Sequence, residues 1–196
     1  GQLVDRIDEK LSQIIAQITA LGKIPILIGG GHNNAYGMIK GTATGLGHAV
    51  NSINFDAHTD FRPLEHRHSG NGFSYAFDRG HLDKYFIFGV QRNYTSQAIW
   101  NTMHEKADRI QYVLYEDIIL KRKWSFEEAL ENATKFISDK AYGIEIDLDS
   151  IAHTGSSAMT PSAFDLAKAR RFLYHLSHQE NCAYIHLCEG AIQHEA

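Results

Sequence analysis

The chain is poor in several things that would have named a function class. It has two cysteines, Cys182 and Cys188, in 196 residues. Neither is placed as a thiolate metal ligand would be, and one pair cannot staple a domain of this size. They read as small apolar residues of a reducing compartment, so a cytoplasmic location is expected. No run of about 18 apolar residues occurs, which argues against a membrane-spanning helix. The opening segment is amphipathic and of mixed charge, unlike a secretory leader. Positive charge is also short. With 19 Lys and Arg against 23 Asp and Glu, the formal net charge is −4, and nucleic acid is not the expected partner. The one dense basic cluster, Lys121-Arg122-Lys123, reads as a solvated turn. Proline occurs three times, and Pro25 falls near a strand start, where a missing donor is tolerated.

What the chain has instead is histidine, 12 residues of it. A metal held here would be bound by imidazole and carboxylate rather than by sulfur. The overall balance, 43% hydrophobic and 21% charged, fits one globular domain over 1–196 able to bury a core unaided. Its ends look cut, because it begins with a helix feeding a strand and stops just after another strand.

Apolar residues Leu3, Val4, Ile7, Leu11, Ile14, Ile15 and Ile18 recur at helical spacing over residues 2–21, with Gly22 as the stop. Short apolar runs then read as buried strands: residues 24–28, 50–55, 85–90, 111–115, 142–148 and 183–187. Helical patterns lie between them, at about 33–46, 95–106, 125–139 and 161–179. The third of these opens on Ser125 with Glu128 three residues on, a capping box. Strands alternating with helices predict a parallel sheet covered on both faces, an α/β fold. Residues 61–81 read as one long irregular loop rich in Gly, His, Arg and Ser, and such loops are often functional.

Three polar groups fall at the C-terminal ends of predicted strands, where open α/β sheets bind ligands. The first is Gly29-Gly30-Gly31-His32, in which glycines let the backbone turn sharply and deliver His32. The second is Asp56-Ala57-His58-Thr59-Asp60. An extended backbone would aim Asp56, His58 and Asp60 to one side, and such a group is costly to desolvate without a cation. The third is Asp147-Leu148-Asp149, aimed by the same period of two. Four carboxylates and two imidazoles have the stoichiometry of a two-cation site, and hard oxygen donors with some imidazole favour Mn²⁺ over Zn²⁺ or Fe²⁺. A nucleotide-binding module built on the glycine triplet would leave the convergent aspartates unexplained.

GGGH, DAHTD and DLD in this order over residues 29–149, with Cys188-Glu189-Gly190 near the end, resemble the ureohydrolase superfamily of arginases, agmatinases and formimidoylglutamases. The resemblance implies a three-layer αβα sandwich around a parallel sheet, here cut at both ends, and two Mn²⁺ per chain bridged by hydroxide. It implies that His32, Asp56, Asp60 and Asp147 hold one ion. His58 and Asp149 hold the other, with Asp56 and Asp147 shared. It further implies attack on a guanidine or amidine carbon, with Asp60 and Glu189 as catalytic residues and Glu189 also pairing the substrate's cationic nitrogens; His68 is the third catalytic candidate.

Within that superfamily, Ser69-Gly70-Asn71 resembles the arginase loop whose serine and asparagine meet the substrate. Phe73 stands where arginases have a proton-shuttling histidine, for which His66 or His68 would have to substitute. Arg62, just after DAHTDF, resembles the arginine of formimidoylglutamases. Its guanidinium fork suits a substrate carboxylate, and Arg67 is a second candidate. The expected reaction is therefore hydrolysis of formimidoylglutamate to glutamate and formamide. Arginase- or agmatinase-type chemistry, or a non-catalytic metal-binding fragment, are the alternatives. A small amidine or guanidine substrate and assembly as a homo-oligomer are the expected partners.

Overall fold

The structure is a computed structural model that describes residues 2–191. Six strands form a single parallel sheet: β1 (Ile26–Ile28), β2 (Val50–Phe55), β3 (Leu82–Val90), β4 (Ile110–Leu114), β5 (Tyr142–Asp147) and β6 (Cys182–Cys188). Their spatial order is β1-β6-β5-β2-β3-β4, and every pairing is parallel. Seven helices accompany them: α1 (Gln2–Ala20), α2 (Asn34–Leu46), α3 (Gly72–Asp78), α4 (Gln97–Glu105), α5 (Tyr115–Ile119), α6 (Phe126–Ile137) and α7 (Leu166–Ser177). None of them is long and apolar enough to cross a membrane.

The central strands β2 and β5 are buried along their whole length, as their continuous apolar runs demand of strands covered on both faces. Two cores result. On one side α6 and α7 bury Leu130, Ala133, Phe172 and Leu176 against Phe55, Phe88 and Ile144. On the other α1, α2 and α3 bury Ile15, Met38, Ile39 and Phe73 against Tyr85, Ile87 and Tyr184. Helices α1 and α2 touch almost backbone to backbone, because Gly37, Gly41 and Gly45 lie on one ridge of α2. A Cβ on Gly41 would come within 2.7 Å of the Ser12 carbonyl, so the helix pair depends on those small positions.

Local signals hold where the sequence carries them. Ser125 accepts from the Glu128 N–H, and the Glu128 carboxylate accepts from the Ser125 N–H, closing the capping box of α6. Gly22 takes the left-handed conformation after α1, with φ 68°. Elsewhere the expectation needs correcting. Residues 61–81 are not wholly irregular, since Ser69–Asn71 form a 3-10 turn that runs into α3. The hydrophobic Phe73 and Ala76 drive that helix inward, where both are fully buried. The third strand begins at Leu82 rather than at 85. Tyr115 opens α5 instead of ending a strand, and α7 starts at Leu166, capped by Asp165, rather than at 161.

Candidate metal centre

The sheet order explains how the motifs meet. Strands β1, β6, β5 and β2 are consecutive neighbours, and each delivers its motif at its C-terminal end. Past β1, Gly29 and Gly30 turn the chain with φ of 96° and 79°, and His32 follows, fully buried. Its Nδ1 lies 2.8 Å from Asp60, 3.1 Å from Asp147 and 3.4 Å from Asp56. One donor atom from each of these four residues falls within 4.8 Å of all the others. Beside this group, His58 Nδ1 stands 3.4 Å from Asp56 Oδ1 and 3.9 Å from Asp149 Oδ2. The six residues expected to hold metal are thus brought together, buried or half-buried.

They do not converge by strand alternation. Asp56 accepts from the His58 N–H at 2.8 Å, and Asp147 accepts from the Asp149 N–H at 2.8 Å. Each motif is a turn closed by its first aspartate, because a short carboxylate competes well for the backbone N–H two residues on. Asp60 is held at φ 43°, a conformation that non-glycine residues rarely adopt and that often marks a functional turn.

Electrostatics at the centre are lopsided. Among the described residues no lysine or arginine pairs with any of the four aspartates; their charged neighbours are His32 and His58. Burial, and then the neighbouring Asp56, push Asp60 above the usual carboxylate range and push Asp147 well above it. Burial also raises Asp149. Asp56 is buried too, but hydrogen bonds and charge from His32 and His58 hold it below its ordinary value. Burial disfavours charge on His58, yet Asp56, Asp60 and Asp147 outweigh it and lift the imidazole to about 9. Without a cation, such a group must bind protons to balance its charge. The donor set, oxygen-rich with two imidazoles and no thiolate facing it, fits hard divalent ions.

Over the centre lies a cleft of about 160 Å³, lined by His58, Asp60, Arg62, His68, Ser69, Gly70, Asp147, Asp149, Ser157, Ala158 and Glu189. Larger grooves exist, one of about 770 Å³ sharing Arg62 with the cleft, but none of the four aspartates of the centre lines them. Glu189, at φ 64° just after β6, accepts from the His32 N–H and from the Ser157 hydroxyl, both at 2.5 Å. His68 accepts from the Gly70 N–H at Nδ1, and its Nε2 lies 2.9 Å from Glu65. Arg62 and Ser69 are exposed at the cleft wall.

Two expected substrate contacts are placed differently. Asn71 is fully buried, with its carbonyl taken by Arg67 and the His68 N–H and its amide given to the His66 carbonyl. Arg67 is 3% exposed and spends all its N–H groups internally: on Asp8, on Asn71 and on the His68 and Asn33 carbonyls. Both brace the loop rather than face the cleft. A polar loop gives no periodicity from which to tell a bracing arginine from an exposed one. Phe73 packs edge-on against His32 at 5.2 Å and stacks on Tyr85 at 4.3 Å, so the floor beside the centre is aromatic and buried.

Sequence reasoning passed over Ser157, Glu145 and His186. The last two were legible: each is a charged or titratable residue flanked by Ile or Leu within a predicted strand, and both side chains are fully buried.

Comparison with known proteins agrees with this geometry. The family model described as the arginase family matches residues 2–189. Formimidoylglutamase of Geobacillus kaustophilus is 29% identical over 197 residues, covering 93% of this chain and 59% of that protein. A formimidoylglutamase of Streptococcus pyogenes serotype M3 is 32% identical over 123 residues, covering 59% of this chain and 37% of its own length. The matched part of the chain therefore spans 59% of the first of these relatives and 37% of the second. Among solved structures, formimidoylglutamase from Bacillus subtilis superposes with a TM-score of 0.84 at 20% identity, over 96% of this chain and 60% of that one. Formiminoglutamase from Trypanosoma cruzi, in its Mn²⁺ structure, gives 0.85 at 20% identity over 97% and 65%. Arginase from Bacillus cereus gives 0.86 at 15% identity over 98% and 72%. These neighbours share the three-layer fold, and with the family match over residues 2–189 they establish that the chain belongs to the arginase family.

Proposed function

We propose that this chain carries the metal centre of a hydrolase acting on linear amidine or guanidine C–N bonds, with formimidoylglutamate as the substrate. The observation that carries the reading is the convergence of His32, Asp56, His58, Asp60, Asp147 and Asp149 beneath one small cleft. Two Mn²⁺ would be held there. His32, Asp56, Asp60 and Asp147 would serve one ion and His58 and Asp149 the other, with Asp56 and Asp147 available to both. When bound, the ions supply Lewis acidity that makes water a competent nucleophile near neutral pH.

The chain's own groups do the rest. Glu189 faces the cleft with its carboxylate fixed by two donors, and its remaining lone pairs suit the N–H groups of a cationic amidine. Arg62, on the exposed side, is free to pair with a carboxylate at the far end of a glutamate-like substrate, and Ser69 offers a hydroxyl beside it. Asp60 lines the cleft, where a carboxylate is placed to accept a hydrogen bond from the attacking water. Cleavage of the C–N bond leaves an amine that needs a proton. Of the two imidazoles lining the cleft, His58 is committed to metal, which leaves His68, whose Nε2 proton would have to leave Glu65, to deliver it. The relatives named formimidoylglutamase support this choice of substrate, as does Phe73, which gives the site no proton shuttle of the arginase kind.

The test is a parallel assay of the intact, Mn²⁺-loaded protein against formimidoylglutamate, arginine, agmatine and guanidinobutyrate. Formimidoylglutamate should be hydrolysed with the highest kcat/KM. Faster turnover of arginine would overturn the substrate; two bound ions with no turnover of any of the four would mean a metal-binding protein without this activity.

A further inference from the structure

Behind the centre, on the side away from the cleft, lies a second buried cluster. Glu145 is on β5 and His186 is its register partner on β6; both are fully buried. The Glu145 carboxylate accepts from the Tyr184 hydroxyl at 2.8 Å on Oε1, and its Oε2 lies 2.6 Å from His186 Nδ1. Tyr184 is seated over Gly143, where a Cβ would come within 1.8 Å of its ring, and its oxygen is 3.4 Å from Ser52 Oγ. A buried carboxylate gripped from two sides in this way is expensive unless it serves a purpose.

The third side of Glu145 faces His32. Nε2 of His32 is buried and has no hydrogen-bond partner, and the acceptor facing it is Glu145 Oε2, 3.5 Å away. The other ring nitrogen, Nδ1, points at Asp56, Asp60 and Asp147. A neutral imidazole has one proton for two nitrogens, and the atom that binds a cation must be the one without it. We infer that Glu145, held by Tyr184 and His186, is a positioning residue that keeps the His32 proton on Nε2 and so presents the Nδ1 lone pair to the first metal. A contraction of about half an ångström would turn the 3.5 Å approach into an ordinary N–H···O bond. A negative acceptor there also makes the opposite nitrogen a better donor. Cys188 belongs to the same cluster, but its thiol donates to the Ile146 carbonyl at 3.6 Å, so Glu145 is the carboxylate acceptor beside His32.

This inference rests on the metal-centre reading above, and one titration separates the two. Mn²⁺ is titrated into the intact, chelator-treated protein, and free Mn²⁺ is read from its electron paramagnetic resonance signal. The parent should take up two ions per chain. Glu145→Gln, which keeps shape and can still bond Tyr184, should stay folded by circular dichroism yet bind the first ion about 10- to 100-fold more weakly. Its KM for substrate should be unchanged once metal is saturating. Nitrogen-15 spectra of histidine-labelled, metal-free protein at high pH should show His32 protonated at Nε2 in the parent and a mixture of tautomers in Glu145→Gln. Tyr184→Phe should weaken the first ion less than Glu145→Gln does. If the parent binds no Mn²⁺, both readings fall together. If the parent binds two ions and a folded Glu145→Gln binds them equally well, the metal centre stands and the positioning role is refuted. Uptake of a third ion that Glu145→Gln abolishes would also refute it, since the cluster would then be a ligand set of its own.

Discussion

Replacing Arg67 by Met should unfold the loop that frames the cleft without touching a substrate contact. The guanidinium is 3% exposed and its main partner Asp8, on α1, is equally buried. Arg67 Nε and Nη2 bond the two Asp8 oxygens at 2.9 and 3.3 Å. Nη1 bonds Asn71 at 2.6 Å and the His68 carbonyl at 2.8 Å, and Nη2 also bonds the Asn33 carbonyl at 2.8 Å. The group is also flanked by the rings of Tyr36 and Tyr75, at 5.2 and 5.3 Å. Methionine fills the stem's volume but leaves Asp8 and the carbonyls without donors. Breaking a buried pair from one side costs about 3–5 kcal/mol. At about 2–4 °C per kcal/mol for a chain of this size, Tm should fall by roughly 6–20 °C.

The pH dependence gives an internal control. Burial raises the Asp8 carboxyl above its usual value even though Arg67 pulls it down. With Arg67 gone it should rise further. A raised folded-state pKa contributes stability below the unfolded value and loses it as pH climbs through the folded one. The deficit of Arg67→Met should therefore shrink toward pH 4 and grow toward neutrality. Adding Asp8→Leu should recover part of the loss, because an apolar pair in place of a buried ion pair is nearly neutral. Urea and thermal unfolding across that pH range make the measurement. A Tm within a degree of the parent, or a double variant as unstable as the sum of the singles, would refute the bracing role. A raised KM with intact stability would return Arg67 to the cleft.

Arg62→Met should behave oppositely, leaving Tm unchanged while raising KM for formimidoylglutamate by ~10²-fold, the loss of one charge-assisted pair of about 2–3 kcal/mol; an unchanged KM in steady-state kinetics would place Arg62 in solvent. Asp147→Asn should lower bound Mn²⁺ from two toward one per chain by elemental analysis and abolish turnover at neutral pH, since the charge that holds two dications close is gone; two ions and parent-like rates would mean Asp147 is not shared. In metal-free protein His58, lifted to about 9, contributes stability that is fully present below its ordinary unfolded value near 6.5 and lost as pH rises through the folded one. Urea unfolding of chelator-treated protein should accordingly show a decline above about pH 7, and Mn²⁺ affinity should climb over the same interval as the competing proton leaves; a flat profile in both would contradict the lifted imidazole.

Much of the molecule is written in the order of its residues. Apolar runs of strand length between helical periods dictate a parallel sheet with helices on both faces, because only that arrangement buries such strands on each side. The residue types at the strand ends, two imidazoles and four carboxylates, already form a donor set that fits hard divalent ions. Tertiary structure decided what local periods cannot carry. The crossovers that seat β6 and β5 between β1 and β2 bring His32 against Asp60 and Asp147, which no spacing of 2 or 3.6 residues encodes. Asp56 and Asp147 reach inward by bonding the N–H two residues on, where sequence alternation suggested extended chain. Arg62 and Arg67 sit five positions apart in one polar loop, yet one is exposed and the other buried on Asp8. That difference arises because α1 lays a carboxylate against the loop from nearly sixty residues away, and a charge is buried only where the fold supplies its partner.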